Sequence, residues 1–176
     1  MALVQVARKR VTAANWLETD SAGGPAVSGI EWIASVDHAV RFGTDVPADV
    51  REAFWLAIGA IGYAQFYSPI LTLVAQQILR VADFGLDQFC IQKKSVVDRE
   101  PFFARLKRLR AADLIGPQQY NRWDGLRSLR NAATHPRFVE QLSSAMALEL
   151  IKTVAAAINA LPWTRVRIVP GKAEAS

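Results

Sequence analysis

Residues Ala53–Leu79 read AFWLAIGAIGYAQFYSPILTLVAQQIL, twenty-seven consecutive positions without a charge. A bilayer is crossed by about 20 apolar residues in one continuous helix, so the stretch is long enough to span one. Its interior argues otherwise. Gln65, Ser68, Gln76 and Gln77 are polar, and Pro69 disfavours helical geometry in the residue before it, so the Tyr67-Ser68-Pro69 step should divide the run in two. The expectation is two buried helices of a globular domain rather than a membrane span; a helical membrane protein built on this run is the alternative that recovery without detergent would dispose of.

Working outward from that run, the chain is helical and repeatedly punctuated. Asp45 can cap a helix with Pro47 in its first turn, covering about residues 46–66. Pro69 opens a second helix to about Lys93. Asp98, with Pro101 in the following turn, opens a third, in which Phe102, Leu106 and Leu109 recur at helical spacing. Gly116-Pro117 ends it, and a fourth helix runs from about Gln118 to His135, stopped by Pro136. The last helix, about 138–161, is apolar nearly all round, with Glu149, Lys152 and Asn159 marking one wet stripe, which places it centrally or at a subunit interface. Short breaks between long apolar faces give the fold class: all-α, an antiparallel bundle of four to five helices. Residues 1–45, with a Gly/Pro/Ser loop at 21–29, read as a peripheral N-terminal arm, 46–161 as the bundle and 162–176 as a C-terminal extension, in which Trp163–Val169 has strand-like character.

The 176 residues suffice for one domain with its own core, and 51% apolar against 21% charged residues excludes the disordered and fibrous classes. Cys90 is the sole cysteine, so intrachain disulfides and thiolate metal clusters are excluded and a reducing, cytoplasmic setting is expected. Arg8, Lys9 and Arg10 are not expected to open a leader, because Glu18 and Asp20 interrupt the apolar run that should follow. The net charge of +5 is local: residues 99–137 carry nine Lys/Arg against three acids, and the rest of the chain is close to neutral. Such a stretch is either a solvated helix face or the footprint of a polyanion.

The phosphate-binding glycine loop, the His-Glu-x-x-His zinc helix and the Gly-x-Ser-x-Gly elbow are all absent from the sequence. No acidic pair stands at helical spacing from either histidine, so no metal and no cofactor is expected. His38 has no relay partner near it and reads as structural. Asp83 and Asp87, four apart on the second helix, suit arginines of the basic helices better than a catalytic acid pair.

One constellation remains: Leu126-Arg127-Ser128-Leu129-Arg130-Asn131-Ala132-Ala133-Thr134-His135-Pro136. Arg130-Asn131-Ala132-Ala133-Thr134-His135 resembles the signature of the HEPN family, an arginine, a polar residue, three further residues and a histidine, placed at the end of the fourth helix and before a long apolar one. The resemblance covers about 46–161. It implies an HEPN-like helical bundle acting as a metal-independent endoribonuclease, a homodimer whose two signatures meet across the two-fold axis, as in toxins and antiviral effectors restrained by an antitoxin or another defence-system partner; other relatives keep the fold without activity. In that frame Arg130 and His135 are catalytic and Asn131 and Thr134 support them. Arg127, Arg137 and Arg122 hold flanking RNA phosphates. Some HEPN toxins carry, two residues past the histidine, a tyrosine modified by a nucleotidyltransferase antitoxin; Arg137 stands there instead, which speaks against that form of control.

The residue types suit RNA cleavage. An imidazole with an intrinsic pKa of about 6.5 can take the proton of a ribose 2′-hydroxyl or supply one to the leaving 5′-oxygen. A guanidinium can stabilise the charge that gathers on phosphorus oxygens. Residues five apart on a helix differ by about 140° around its axis, so Arg130 and His135 of one chain do not share a face, whereas a second copy can supply the missing partner. The same residues also allow a silent reading. His135 then gains only from the helix dipole, Arg130 pairs with Asp124 or another acid, and the chain is a catalytically inactive HEPN-like module that dimerises or binds nucleic acid or nucleotide in a larger complex.

Overall fold

The computed structural model describes residue 34 and residues 40–65, 67, 69–95, 100–133 and 142–163. Among them the regular elements are all helical: α1 (Ala48–Gly59), a 3-10 turn (Ala60–Gln65), α2 (Ile70–Gln92), α3 (Phe102–Ala111), α4 (Pro117–Ala133) and α5 (Ser144–Asn159). The helices pack as a bundle around α2, which touches α1, the 3-10 turn, α4 and, along its most extensive seam, α5. Eleven of the 23 residues of α2 are buried, so it carries the largest share of the core. No helix among the described residues is long and apolar enough to cross a membrane.

The charge-free run divides as its prolines and glycines dictate. Gly59 is the last residue of α1, the chain tightens into the 3-10 turn, and Pro69 precedes the first residue of α2. The break comes earlier than the Pro69 reading alone gives, because Gly59 and Gly62 weaken the helix before the proline is reached. The start of α1 is also shifted. Pro47, not Asp45, holds the N-cap position, with an extended ψ of 143° that keeps it outside the helix.

The N-terminal boundary moves as well. Val40 and Val46 are buried in the core, and the Phe42 ring meets Phe54 edge-on at 4.8 Å. Residues 40–45, read above as part of a peripheral arm, therefore pack on the bundle. Asn159, read as surface, fastens them there: its amide donates to the Arg41 carbonyl (2.8 Å) and accepts from the Gly43 N–H (2.9 Å).

Helix α5 begins later than residue 138. Ser143 is extended and its hydroxyl accepts from the Met146 N–H, an N-cap that fixes the start at Ser144. Nor is α5 buried all round: Ala147, Ile151, Val154, Ala155, Ala157 and Ile158 face the core, while Met146 is exposed and Lys152 pairs with Glu149 at 2.9 Å. Phe102, Leu106 and Leu109 are buried on α3, and Trp123 and Leu126 on α4. Trp163 closes the described chain with its ring edge-on to Phe89 (5.5 Å) and its indole N–H on the Ile158 carbonyl. His38, Asp98 and residues 164–169 lie outside the described residues.

The α2–α5 seam depends on one small residue. At Gly85 a β-carbon would lie 3.3 Å from Ile158 Cγ1 and 3.5 Å from Val50 Cγ1, so α1 and α5 both close on this point of α2. Gly85→Ala should change stability by less than about 1 kcal/mol, the gain in helix propensity offsetting slight crowding. Gly85→Leu should cost about 3 kcal/mol or more by forcing the helices apart. Urea unfolding of the two variants checks this.

Candidate functional site

Four polar side chains of α2 repeat with the helix. Gln76, Arg80, Asp83 and Asp87 fall at i, i+4, i+7 and i+11, which places them within about 60° of one another around the axis. This stripe faces α3 and α4. Asp83 Oδ2 accepts from Arg130 Nη1 at 2.8 Å, and Asp83 Oδ1 accepts from Arg105 Nη1 at 3.3 Å. Arg105 reaches on to Asp87 Oδ1 at 3.4 Å and to the Glu100 carbonyl. One carboxylate thus joins three helices, and Asp83 and Asp87 serve the arginines of the basic helices as their spacing suggested.

Arg130 is held on two sides. Asp83 takes one nitrogen, and the Phe102 ring lies under the guanidinium carbon at 5.6 Å, itself backed by Trp123. A cation over an aromatic face gains about 0.5–1 kcal/mol where water has access. The partner of Arg130 is therefore Asp83, 47 positions earlier, and not Asp124. Beside it, Gln76 Nε2 donates to the Ala133 carbonyl at 3.1 Å. That carbonyl belongs to the last turn of α4, where backbone acceptors lack helical partners, so Gln76 pins the point from which the chain runs on to Thr134 and His135.

Between α2 and α4 lies a pocket of about 540 Å³ lined by Gln76, Leu79, Arg80, Asp83, Arg130 and Ala133. A second hollow of about 350 Å³ adjoins it, lined by Arg80, Asp83, Phe84, Asp87 and Arg105. Arg130 is the sequence-predicted site residue in the first pocket. Arg127 instead turns to Asp124 (2.7 Å) and lies over the Phe103 ring at 5.1 Å. Arg122 and Asn131 are exposed on α4. Thr134, His135 and Arg137 lie outside the described residues. Among the described residues, no three His, Cys, Asp or Glu side chains gather to hold a metal ion.

Much of the basic stretch is neutralised within the chain. Besides Arg105, Arg127 and Arg130, Arg108 is paired with Glu100 (2.6 Å) and Arg110 with Asp113 (3.2 Å). The Arg108 guanidinium also meets the Ser95 hydroxyl. Hydrogen bonding to Arg108 lowers the Glu100 carboxyl from its ordinary range, and the same contact raises Arg108. Burial raises the Cys90 thiol, although Arg105 and Arg108 oppose the shift.

Comparison with protein-family models matches residues 70–175 to the domain of unknown function DUF4145. The chain belongs to the DUF4145 family. Searches of the curated proteins and of the solved structures give no match. The DUF4145 match opens at Ile70, the first residue of α2, and so contains Gln76, Arg80, Asp83, Arg105, Arg130 and His135 while leaving α1 outside.

Gln76, Arg80 and the bridging role of Asp83 were not singled out from sequence as parts of a site. The signal was present in the polar stripe of α2, but its destination on α4 is a long-range contact that local periodicity does not reveal.

The Glu100–Arg108 pair sets a pH dependence. A carboxyl depressed in the folded state stabilises the fold above its unfolded pKa of about 4.3, and loses that contribution as pH falls through the lower folded value. Melting temperatures followed from pH 6 downward should therefore fall more for the wild type than for Glu100→Gln, with the difference developing below about pH 4.3.

Proposed function

We propose that this chain is a metal-independent endoribonuclease of HEPN type, a toxin or phage-defence effector that works in the cytoplasm as a homodimer under the restraint of an antitoxin or defence partner. The observation that carries the reading is the placement of Arg130. Its guanidinium is oriented by Asp83 and Phe102 at the wall of a pocket beside the last described turn of α4, two residues before His135. A guanidinium fixed in this way is preorganised for an anion and needs little rearrangement when charge develops.

In the proposed reaction a His135 imidazole takes the proton of the ribose 2′-hydroxyl. The 2′-oxygen attacks phosphorus while the bond from phosphorus to the 5′-oxygen breaks, and an imidazolium returns a proton to that oxygen. Arg130 holds the non-bridging phosphate oxygens, with Asn131 and Thr134 supporting and Arg122, Arg127 and Arg137 along the flanking strand. The products are a 2′,3′-cyclic phosphate and a 5′-hydroxyl, and DNA is spared because it lacks the nucleophile. The 140° between Arg130 and His135 on one helix is met by pairing the histidine of one copy with the arginine of the other.

One observation favours a second reading, an inactive HEPN-like module that dimerises or binds nucleic acid. Arg130 already has a carboxylate partner within the chain, so a structural role accounts for its contact with Asp83. Incubation of the purified protein with single-stranded and transfer RNA in EDTA separates the two. The nuclease reading expects cyclic-phosphate ends, loss of cutting by about 10²–10⁴ in His135→Ala, a loss of about 10²–10³ in Arg130→Ala, and an unchanged dimer in sedimentation. Salt-sensitive RNA binding with the RNA left intact assigns the module instead.

A further inference from the structure

The pocket between α2 and α4 has a second cation that the Arg130 contacts do not use. Arg80 lines this pocket, and it also lines the adjoining hollow at Asp87 and Arg105. It is exposed, and it forms no salt bridge with any described carboxylate. Its nearest acid along α2 is Asp83, three residues on, and both oxygens of that carboxylate are committed to Arg105 and Arg130. Asp87, the other acid of the stripe, is taken by Arg105. Counting Arg80, Asp83, Asp87, Arg105 and Arg130 as charged, two acids face three guanidinium groups, and the surplus positive charge belongs to Arg80.

We infer that Arg80 is a phosphate-binding residue of this pocket, taking one phosphodiester of a single-stranded RNA whose neighbouring phosphate lies at Arg130. The inference rests on the nuclease reading and deepens it by naming a contact on α2, outside the basic stretch of residues 99–137. Three features select an anion. Arg80 and Arg130 reach the pocket from different helices, α2 and α4, so two successive phosphates of one strand can each meet a forked donor. The Gln76 amide is spent on the Ala133 carbonyl and fixes the wall rather than competing for the ligand. Asp83 restrains Arg130 without consuming the charge of Arg80. The role is electrostatic and positional, and it reads no base.

The test measures binding of a short fluorescein-labelled single-stranded oligoribonucleotide in EDTA over a range of KCl concentrations, in a His135→Ala background that leaves the probe intact. Arg80→Ala should weaken binding by about tenfold at low salt and make the slope of log K against log salt shallower by about 0.7, the contribution of one phosphate on a single strand. Arg80→Lys should recover most of the slope but only part of the affinity. Lys152→Ala, which removes one positive charge from α5 and away from the pocket, should leave both unchanged. Circular dichroism confirms that the variants are folded; the exposed position of Arg80 favours this, and Arg80→Gln provides a second neutral variant. Binding by Arg80→Ala and Arg80→Gln equal to that of their background, or a loss matched by Lys152→Ala, overturns the assignment of Arg80 while leaving the nuclease reading intact. Absence of salt-dependent RNA binding in the parent, together with absence of cutting in the wild type, overturns both.

Discussion

Each oxygen of the Asp83 carboxylate accepts a hydrogen bond from a guanidinium of a different helix, Arg105 of α3 and Arg130 of α4. This sharing is the constraint on which the rest of the site depends. Helix α2 must be apolar on most of its surface to sit at the centre of the bundle, yet it carries one polar stripe, and that stripe is where the basic helices meet it. The groups involved are about one-third exposed at Asp83 and Arg130, and ion pairs in such surroundings each contribute at most about 1 kcal/mol. Asp83 therefore contributes more to orientation than to stability. The packing of Phe54, Phe89, Leu106, Trp123 and Ile158 holds the helices together, and the carboxylate decides which way two arginines point.

The helical class, the break in the charge-free run and the buried positions of α3 were legible because they follow from local rules. Proline and glycine interrupt helices wherever they stand, and residues three and four apart share a face. Two details were less legible. Asp45 has the chemistry of an N-cap, but Pro47, two residues on, takes that place. Asn159 is exposed, as a wet stripe requires, yet both ends of its amide also bind the segment before α1, more than a hundred positions away, which local periodicity does not reveal.

The site was legible in the same uneven way. Arg130 stood out through a short motif on one helix, and its pairing with an acid was foreseeable, although the acid lies on a different element from the one nearest in sequence. The charge balance was less transparent. Nine basic residues in one stretch left open whether they form a solvated face or a polyanion footprint, and Asp83, Asp87, Glu100, Asp113 and Asp124 answer five of them inside the described chain. Composition counts charges, and only the packing says which remain available. Arg80, on the apolar central helix, is exposed at both pockets and is one that does.

Burial of Cys90 has a practical corollary. The thiol lies in the core, and its removal from water holds it in the protonated, poorly nucleophilic form. Since the chain has no other cysteine, a sulfhydryl engineered on the surface would react almost alone with a maleimide dye. Fluorophores or spin labels could then be attached at chosen points of the native sequence, and distances between copies measured, without first stripping out a background thiol.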